Sequence, residues 1–209
     1  MPHPQLVDVH TPADPTAAVL VLHGGASRRD APAVRPTQLS VLRMVPIARR
    51  IDRAGAGRFA VFRLLNSIRG WDSDRSPLDD ARWALDRIED RYGSLPVGLV
   101  GHSLGGRTAL LAGAEPVVSA VVALNPWVYA SDDADLTGRR VLIVHGDADR
   151  VASETKAQRV AQNLRRTADV RFLRVPGGKH AMLRHHDSYE QPMVDFLTET
   201  LLGDPVRDG

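Results

Sequence analysis

Five short runs dominated by Val, Leu, Ile, Ala and Phe, at residues 18–22, 59–64, 97–100, 118–124 and 141–144, punctuate a chain of otherwise mixed polarity. Runs this continuous suit strands covered on both faces, as parallel strands of α/β proteins are, rather than the alternating strands of a half-exposed antiparallel sheet. Residues 6–9 and 170–175 read as two further, outer strands. Between these runs lie segments of helical period at 39–54, 76–92, 103–114 and 153–166, with a last one inside 186–202. The segment at 76–92 shows the logic best. Ser76 can cap, Pro77 suits the first turn, and Asp79 and Asp80 sit near the positive end. Leu78, Ala81, Leu85 and Ile88 share one face, and Gly93 ends the helix. Pro46 inside 39–54 predicts a kink there, or two short helices.

Strands alternating with helices predict an α/β fold: a doubly wound, mostly parallel sheet of about seven strands with helices on both faces and right-handed crossovers. The longest loops, 24–38 and 65–76, each follow a strand, on the edge where open α/β folds place ligands. A chain of 209 residues, 43% hydrophobic and 25% charged, reads as one domain over 1–209, with 203–209 a frayed tail.

With no cysteine in the sequence, a thiol nucleophile, a cysteine-ligated zinc and a disulfide framework are excluded. Net charge is only +2, and acidic and basic residues alternate without a basic stripe, so nucleic acid is not an expected partner. The start, Met1-Pro2-His3-Pro4-Gln5, has no charged region followed by an apolar run, and the longest apolar stretch, 117–124, is too short to span a bilayer. The expectation is a cytoplasmic protein without membrane insertion. Its wealth of Ala, Arg, Val, Gly and Asp points to a GC-rich bacterial genome.

The strongest chemical signal is Gly101-His102-Ser103-Leu104-Gly105-Gly106, lying directly between the strand at 97–100 and a helix. It has the nucleophile-elbow form G-x-S-x-G. Such chemistry needs a serine oxygen raised above the sheet on a strained turn, with glycines leaving room for the crowded backbone. The following helix aims its free amides at developing negative charge, which makes the amide of Leu104 the first oxyanion donor. A second piece, His23-Gly24-Gly25-Ala26, follows the strand at 18–22 and supplies Gly25 or Ala26 as the other donor. His23 is read as ordering that loop rather than acting as a base.

Together these segments resemble the α/β-hydrolases, in particular small members similar to the dienelactone-hydrolase-like and serine esterase branches, over nearly the whole chain. That resemblance implies the chain order nucleophile, acid, histidine. His145-Gly146-Asp147-Ala148-Asp149 resembles the family's H-G-x-x-D pattern and implies Asp149 as the acid, with Asp147 as rival. Pro176-Gly177-Gly178-Lys179-His180 resembles its G-G-x-H pattern and implies His180 as the base, ahead of His185 and His186. Dienelactone hydrolases use a cysteine nucleophile, so their particular substrate is not carried over to Ser103.

Only residues 125–140 separate two successive strands where many family members insert a lid, so no substantial lid is expected. Trp127, Tyr129, Trp71 and Met182 lie in loops at the predicted mouth and are candidates to line a substrate pocket, while Arg69 and Arg28-Arg29 are candidates to receive an anionic group. The expected activity is a serine hydrolase cleaving a small or soluble carboxylic ester through an acyl-enzyme on Ser103, with no cofactor and no metal. A thioesterase or acyltransferase using the same acyl-enzyme is the alternative, and a non-catalytic small-molecule binding protein is the alternative of another class. Oligomeric state is left open.

Overall fold

The apolar runs become adjacent strands of one seven-stranded sheet in the computed structural model, which describes residues 2–25, 32–71 and 76–203. In chain order the strands are β1 (Gln5–His10), β2 (Ala17–Leu22), β3 (Phe59–Leu65), β4 (Val97–His102), β5 (Val118–Leu124), β6 (Arg140–Gly146) and β7 (Asp169–Val175). Across the sheet they run β1-β3-β2-β4-β5-β6-β7, and β1 alone is antiparallel to its neighbour. The helices are α1 (Leu39–Leu42), α2 (Met44–Gly55), α3 (Ser76–Tyr92), α4 (Leu104–Ala112), α5 (Glu154–Leu164) and α6 (His186–Leu202). No helix or strand of the described residues lies between β5 and β6, so the strand–helix alternation lapses there and no lid domain is inserted.

Successive strand residues point to opposite faces, which sorts the core into two layers. Leu20, Phe62, Leu99 and Ile143 pack with α3, α4 and α5. Val19, Val61, Val100 and Leu142 pack with α2 and α6 on the other side. These central-strand side chains are essentially fully buried, and each contributes roughly 1.5–3 kcal/mol through removal from water.

The expected helix at 39–54 is divided, though not at the proline. The break falls at Arg43, and Pro46 then occupies the first turn of α2, where a missing amide leaves no intrahelical bond unmade. Gly93 does terminate α3, at φ +72° and with its amide donating to the Glu89 carbonyl at 2.7 Å. Asp80 lies near the start of α3, as expected, and has a further contact. It is buried, and its carboxylate accepts from both the amide and the hydroxyl of Ser67, tying α3 to the loop after β3.

Candidate active site

The elbow stands at the C-terminal end of β4, the central strand. Ser103 has φ +58° and ψ −121°, a conformation that costs a non-glycine residue of order 1–3 kcal/mol. Three bonds hold it there: its amide donates to the Leu124 carbonyl at 3.1 Å, and its own carbonyl accepts from Arg107 and Trp127 at 3.2 and 3.0 Å. The flanking glycines are required by contact. A Cβ on Gly101 would lie 2.0 Å from the Gly105 carbonyl oxygen, and one on Gly105 would lie 2.4 Å from that of Leu22.

Above this turn the structure brings together three residues from three strand ends. The Ser103 hydroxyl donates to His180 Nε2 at 3.0 Å, and His180 Nδ1 donates to Asp149 Oδ2 at 2.7 Å. Asp149 is completely buried as a side chain, and its Oδ1 accepts the amides of Val151 and Ala152 at 2.7 and 3.0 Å. Burial alone would raise its pKa, but the bonds from His180, Ala152 and Val151 outweigh that and hold the carboxyl below its ordinary value. An ionised acid fixed in this way keeps the proton on Nδ1 and leaves Nε2 free to accept from the serine.

Asp147 has different work. Its Oδ1 accepts the Gly177 amide at 2.7 Å, so it ties the loop after β6 to the loop that carries His180. His185 precedes α6, and exposed His186 faces Asp187, so neither stands at Ser103. Among the described residues no group of three or more His, Asp or Glu side chains is arranged to hold a metal ion.

On the other side of Ser103 runs the loop after β2. Gly24 passes so close that a Cβ there would lie 3.1 Å from the Ser103 Cβ, and Gly25 lies against the backbone of Gly70. His23 is buried, its Nδ1 donating to the Gly24 carbonyl at 2.6 Å and its Nε2 accepting the Asn66 amide at 3.2 Å. Those two bonds require the neutral ring, and burial lowers its pKa accordingly. His23 therefore shapes the loop that would present the second oxyanion donor. Leu104 opens α4, so its amide has no preceding helical carbonyl to bond. Ala26, Arg28 and Arg29 lie outside the described residues.

The expected substrate-lining residues do not form one wall. Trp71 and Tyr129 lie over the Arg107 guanidinium, at 4.1 and 4.6 Å, and Trp127 meets Tyr129 edge-on. Arg107 is itself paired with Asp132 through two bonds of 2.7 and 2.8 Å, so this cluster locks the β5–β6 segment to α4. Met182 belongs elsewhere: it is buried, and lines a groove against α1 and α2. In Arg69 the Nε is buried without a hydrogen-bond partner among the described residues.

Two positioning residues are absent from the motif reading. His102, inside the elbow, donates from Nε2 to the His180 carbonyl at 2.8 Å, and its ring lies 4.8 Å from the His180 ring. Burial, helped by the neighbouring His180, pushes its pKa down to about 3, so it stays a neutral donor. Asn125, at φ +42° just beyond β5, accepts the Gly146 amide at 2.8 Å and donates to the Lys179 carbonyl at 3.1 Å. A polar residue directly after the apolar run 118–124 is the sequence signal that marks it.

A serine at an elbow, a buried carboxylate and a histidine gathered at the C-terminal edge of such a sheet form the layout of an α/β-hydrolase. The chain belongs to that family: the family model described as alpha/beta hydrolase fold matches residues 18–140. No curated protein matches the chain. Among solved structures it is similar to a putative alpha/beta hydrolase of unknown function from Agrobacterium tumefaciens, with TM-score 0.73 and 19% identity over 99% of this chain and 94% of that one. It is also similar to a dienelactone hydrolase from Anabaena variabilis, with TM-score 0.67 and 21% identity over 95% and 99%. A third is a serine hydrolase without a lid from Xanthomonas campestris, with TM-score 0.64 and 18% identity over 94% and 85%. Identities this low speak for the fold, and no helix of the described residues is long and apolar enough to cross a membrane.

Proposed function

We propose that the protein is a serine hydrolase that cleaves carboxylic esters of small molecules. The observation that carries this reading is the unbroken chain from the Ser103 hydroxyl through His180 to buried Asp149, at 3.0 and 2.7 Å. Ser103 Oγ attacks the ester carbonyl carbon while His180 Nε2 takes the hydroxyl proton. The oxyanion is held by the amides of Leu104 and of Gly25 or Ala26, each such donor supplying about 10²–10³ in rate. Collapse breaks the carbonyl–alkoxy bond, and His180 returns the proton to the departing alcohol. Water then adds to the acyl-enzyme, giving up a proton to the same nitrogen, and the acid leaves as Ser103 regains its hydrogen. No step calls on a cofactor.

The test is a fluorophosphonate probe followed by peptide mass spectrometry, with p-nitrophenyl acetate turnover measured alongside. An adduct on Ser103 and turnover that Ser103→Ala abolishes are expected. Folded protein that neither labels nor turns over would overturn the reading in favour of a binding protein.

A further inference from the structure

Next to the loop that carries His180 a groove of about 640 Å³ opens between α1, α2, residues 181–183 and the start of α6. That volume is in the range of small-molecule sites, about 300–1,000 Å³. Leu39, Leu42, Ile47, Met182 and Leu183 give it an apolar lining, edged by Arg43, Arg50, Arg53, His186 and Glu190, and three of the aliphatic side chains are unusually open: Leu39 is 78% exposed, Leu183 75% and Leu42 47%. Ala181 and Met182, the two residues after His180, line it, so the groove borders the loop that carries the base.

Two charges in the wall, Arg43 and the exposed Arg53, lack a counterion among the described residues. Arg43, at the break between α1 and α2, is half-buried in the groove, and its side chain has no hydrogen bond or ion pair among the described residues. Arg50, in the same wall, is by contrast committed to Asp187, Glu190 and Gln191. Burial lowers the Arg43 pKa, and its charge is felt at His102, the ring that donates to the His180 carbonyl. A guanidinium partly removed from water and left unpaired, in the wall of a groove with an apolar lining, is complementary to an anion carried on an apolar chain.

We infer that this groove selects esters whose apolar chain bears a carboxylate or phosphate, with Arg43 receiving the anion; the inference rests on the serine hydrolase reading of Ser103. The chain is either the acyl part or the alcohol part of the ester, and the two sources are separable.

The test compares kcat/KM for matched pairs. On the acyl side the pair is p-nitrophenyl pentanoate and the mono-p-nitrophenyl ester of glutaric acid; on the alcohol side it is butyl acetate and the acetyl ester of 4-hydroxybutanoate. The wild-type protein is expected to prefer the anionic member on one side. Arg43→Met should cut that preference about tenfold or more, the loss expected for a hydrogen bond to a charged group. Arg49→Met, on the exposed face of α2 outside the groove, should keep it. Leu183→Asp, at a site open enough to fold with any polar residue, should weaken the anionic ester selectively. Turnover of neutral esters without an anionic preference on either side would overturn the inference and leave the hydrolase reading standing, as would a preference that survives Arg43→Met. A dimer in sedimentation that Leu183→Asp dissociates with the preference unchanged would assign the groove to a second copy. Absence of both labelling and turnover would overturn the two readings together.

Discussion

Replacing Asp149 by Asn separates the acid's electrostatic role from its structural one. Oδ1 of Asp149 accepts two backbone amides and Oδ2 faces His180 Nδ1. An asparagine keeps its single oxygen on the two amides, because the alternative flip would set an NH₂ against two N–H donors. Its NH₂ therefore points at Nδ1, which must turn acceptor, and the ring proton moves to Nε2, opposite Ser103. The imidazole is then in the wrong tautomer to accept the serine proton, a change that costs about 10⁴ in kcat where it has been isolated, or roughly 5.5 kcal/mol of transition-state stabilisation. Stability should change far less, since both amide bonds survive. Asp147→Asn is the matched control. It keeps an oxygen for the Gly177 amide and loses only the long contact with exposed Arg174, 3.8 Å away, which is worth about 0–1 kcal/mol. Activity in that variant should remain within about threefold of wild type. The assay is steady-state hydrolysis of p-nitrophenyl acetate, with thermal unfolding to monitor folding. Comparable losses in the two variants, or a larger loss for Asp147→Asn, would refute the assignment of the acid.

Other outcomes follow from the same contacts. Ser103→Ala should abolish turnover with a thermal midpoint close to wild type, since its backbone bonds remain; a residual rate near wild type would move the nucleophile. Asn125→Leu leaves the buried Gly146 amide without its acceptor and frees the His180 loop, so about 1–3 kcal/mol of stability and part of kcat should go together in denaturation and kinetic measurements. Gly105→Ala should fail to fold or lose several kcal/mol, because the added carbon meets the Leu22 carbonyl, a backbone atom that cannot step aside. Stability should also fall with acid. His102 binds a proton only near pH 3 when folded but near the ordinary imidazole value when unfolded, so the unfolded chain holds more protons between pH 6.5 and 3. The stability contributed by the neutral ring is thus complete above about pH 6.5 and lost as pH falls toward 3. His102→Gln, which keeps a donor for the His180 carbonyl, should flatten the thermal midpoint against pH over that window, and an unchanged slope would refute the burial argument.

Much of the architecture was legible because parallel strands buried on both faces leave continuous apolar runs, and the five runs mark β2, β3, β4, β5 and β6 within a residue or two at either end. The position of Ser103 at a strand-to-helix turn was legible for the same reason: glycine spacing records a steric requirement that is local in the chain. Contacts between distant segments leave no such mark. Nothing near Asp80 announces that its carboxylate will be capped by Ser67, and Arg107 looks like any helix arginine until Trp71, Tyr129 and Asp132 arrive from other loops. Arg43 reads as one more residue of a helix over 39–54, since no glycine or proline stands at the division that falls there. His102 was hidden by its own motif, since the x of G-x-S-x-G carries no expectation, yet its ring reaches the backbone of a residue 78 positions later.

The segment from Asn125 to Arg140 is fastened at both ends before it leaves the sheet: the Trp127 amide is tied to the elbow carbonyl, and the Arg139 amide donates to Leu136 at the entry to β6. Between those anchors residues 129–135 are exposed or half-exposed and contribute to no strand pairing. Extra residues grafted between Tyr129 and Leu136, leaving Asp132 available to Arg107, would be carried on a closed loop whose entropic cost grows only slowly with length, about 0.6 kcal/mol per doubling. This stretch is therefore the natural insertion point for a protein engineer who wishes to roof the site, or to append a substrate-capturing module, while the elbow beneath remains as it is.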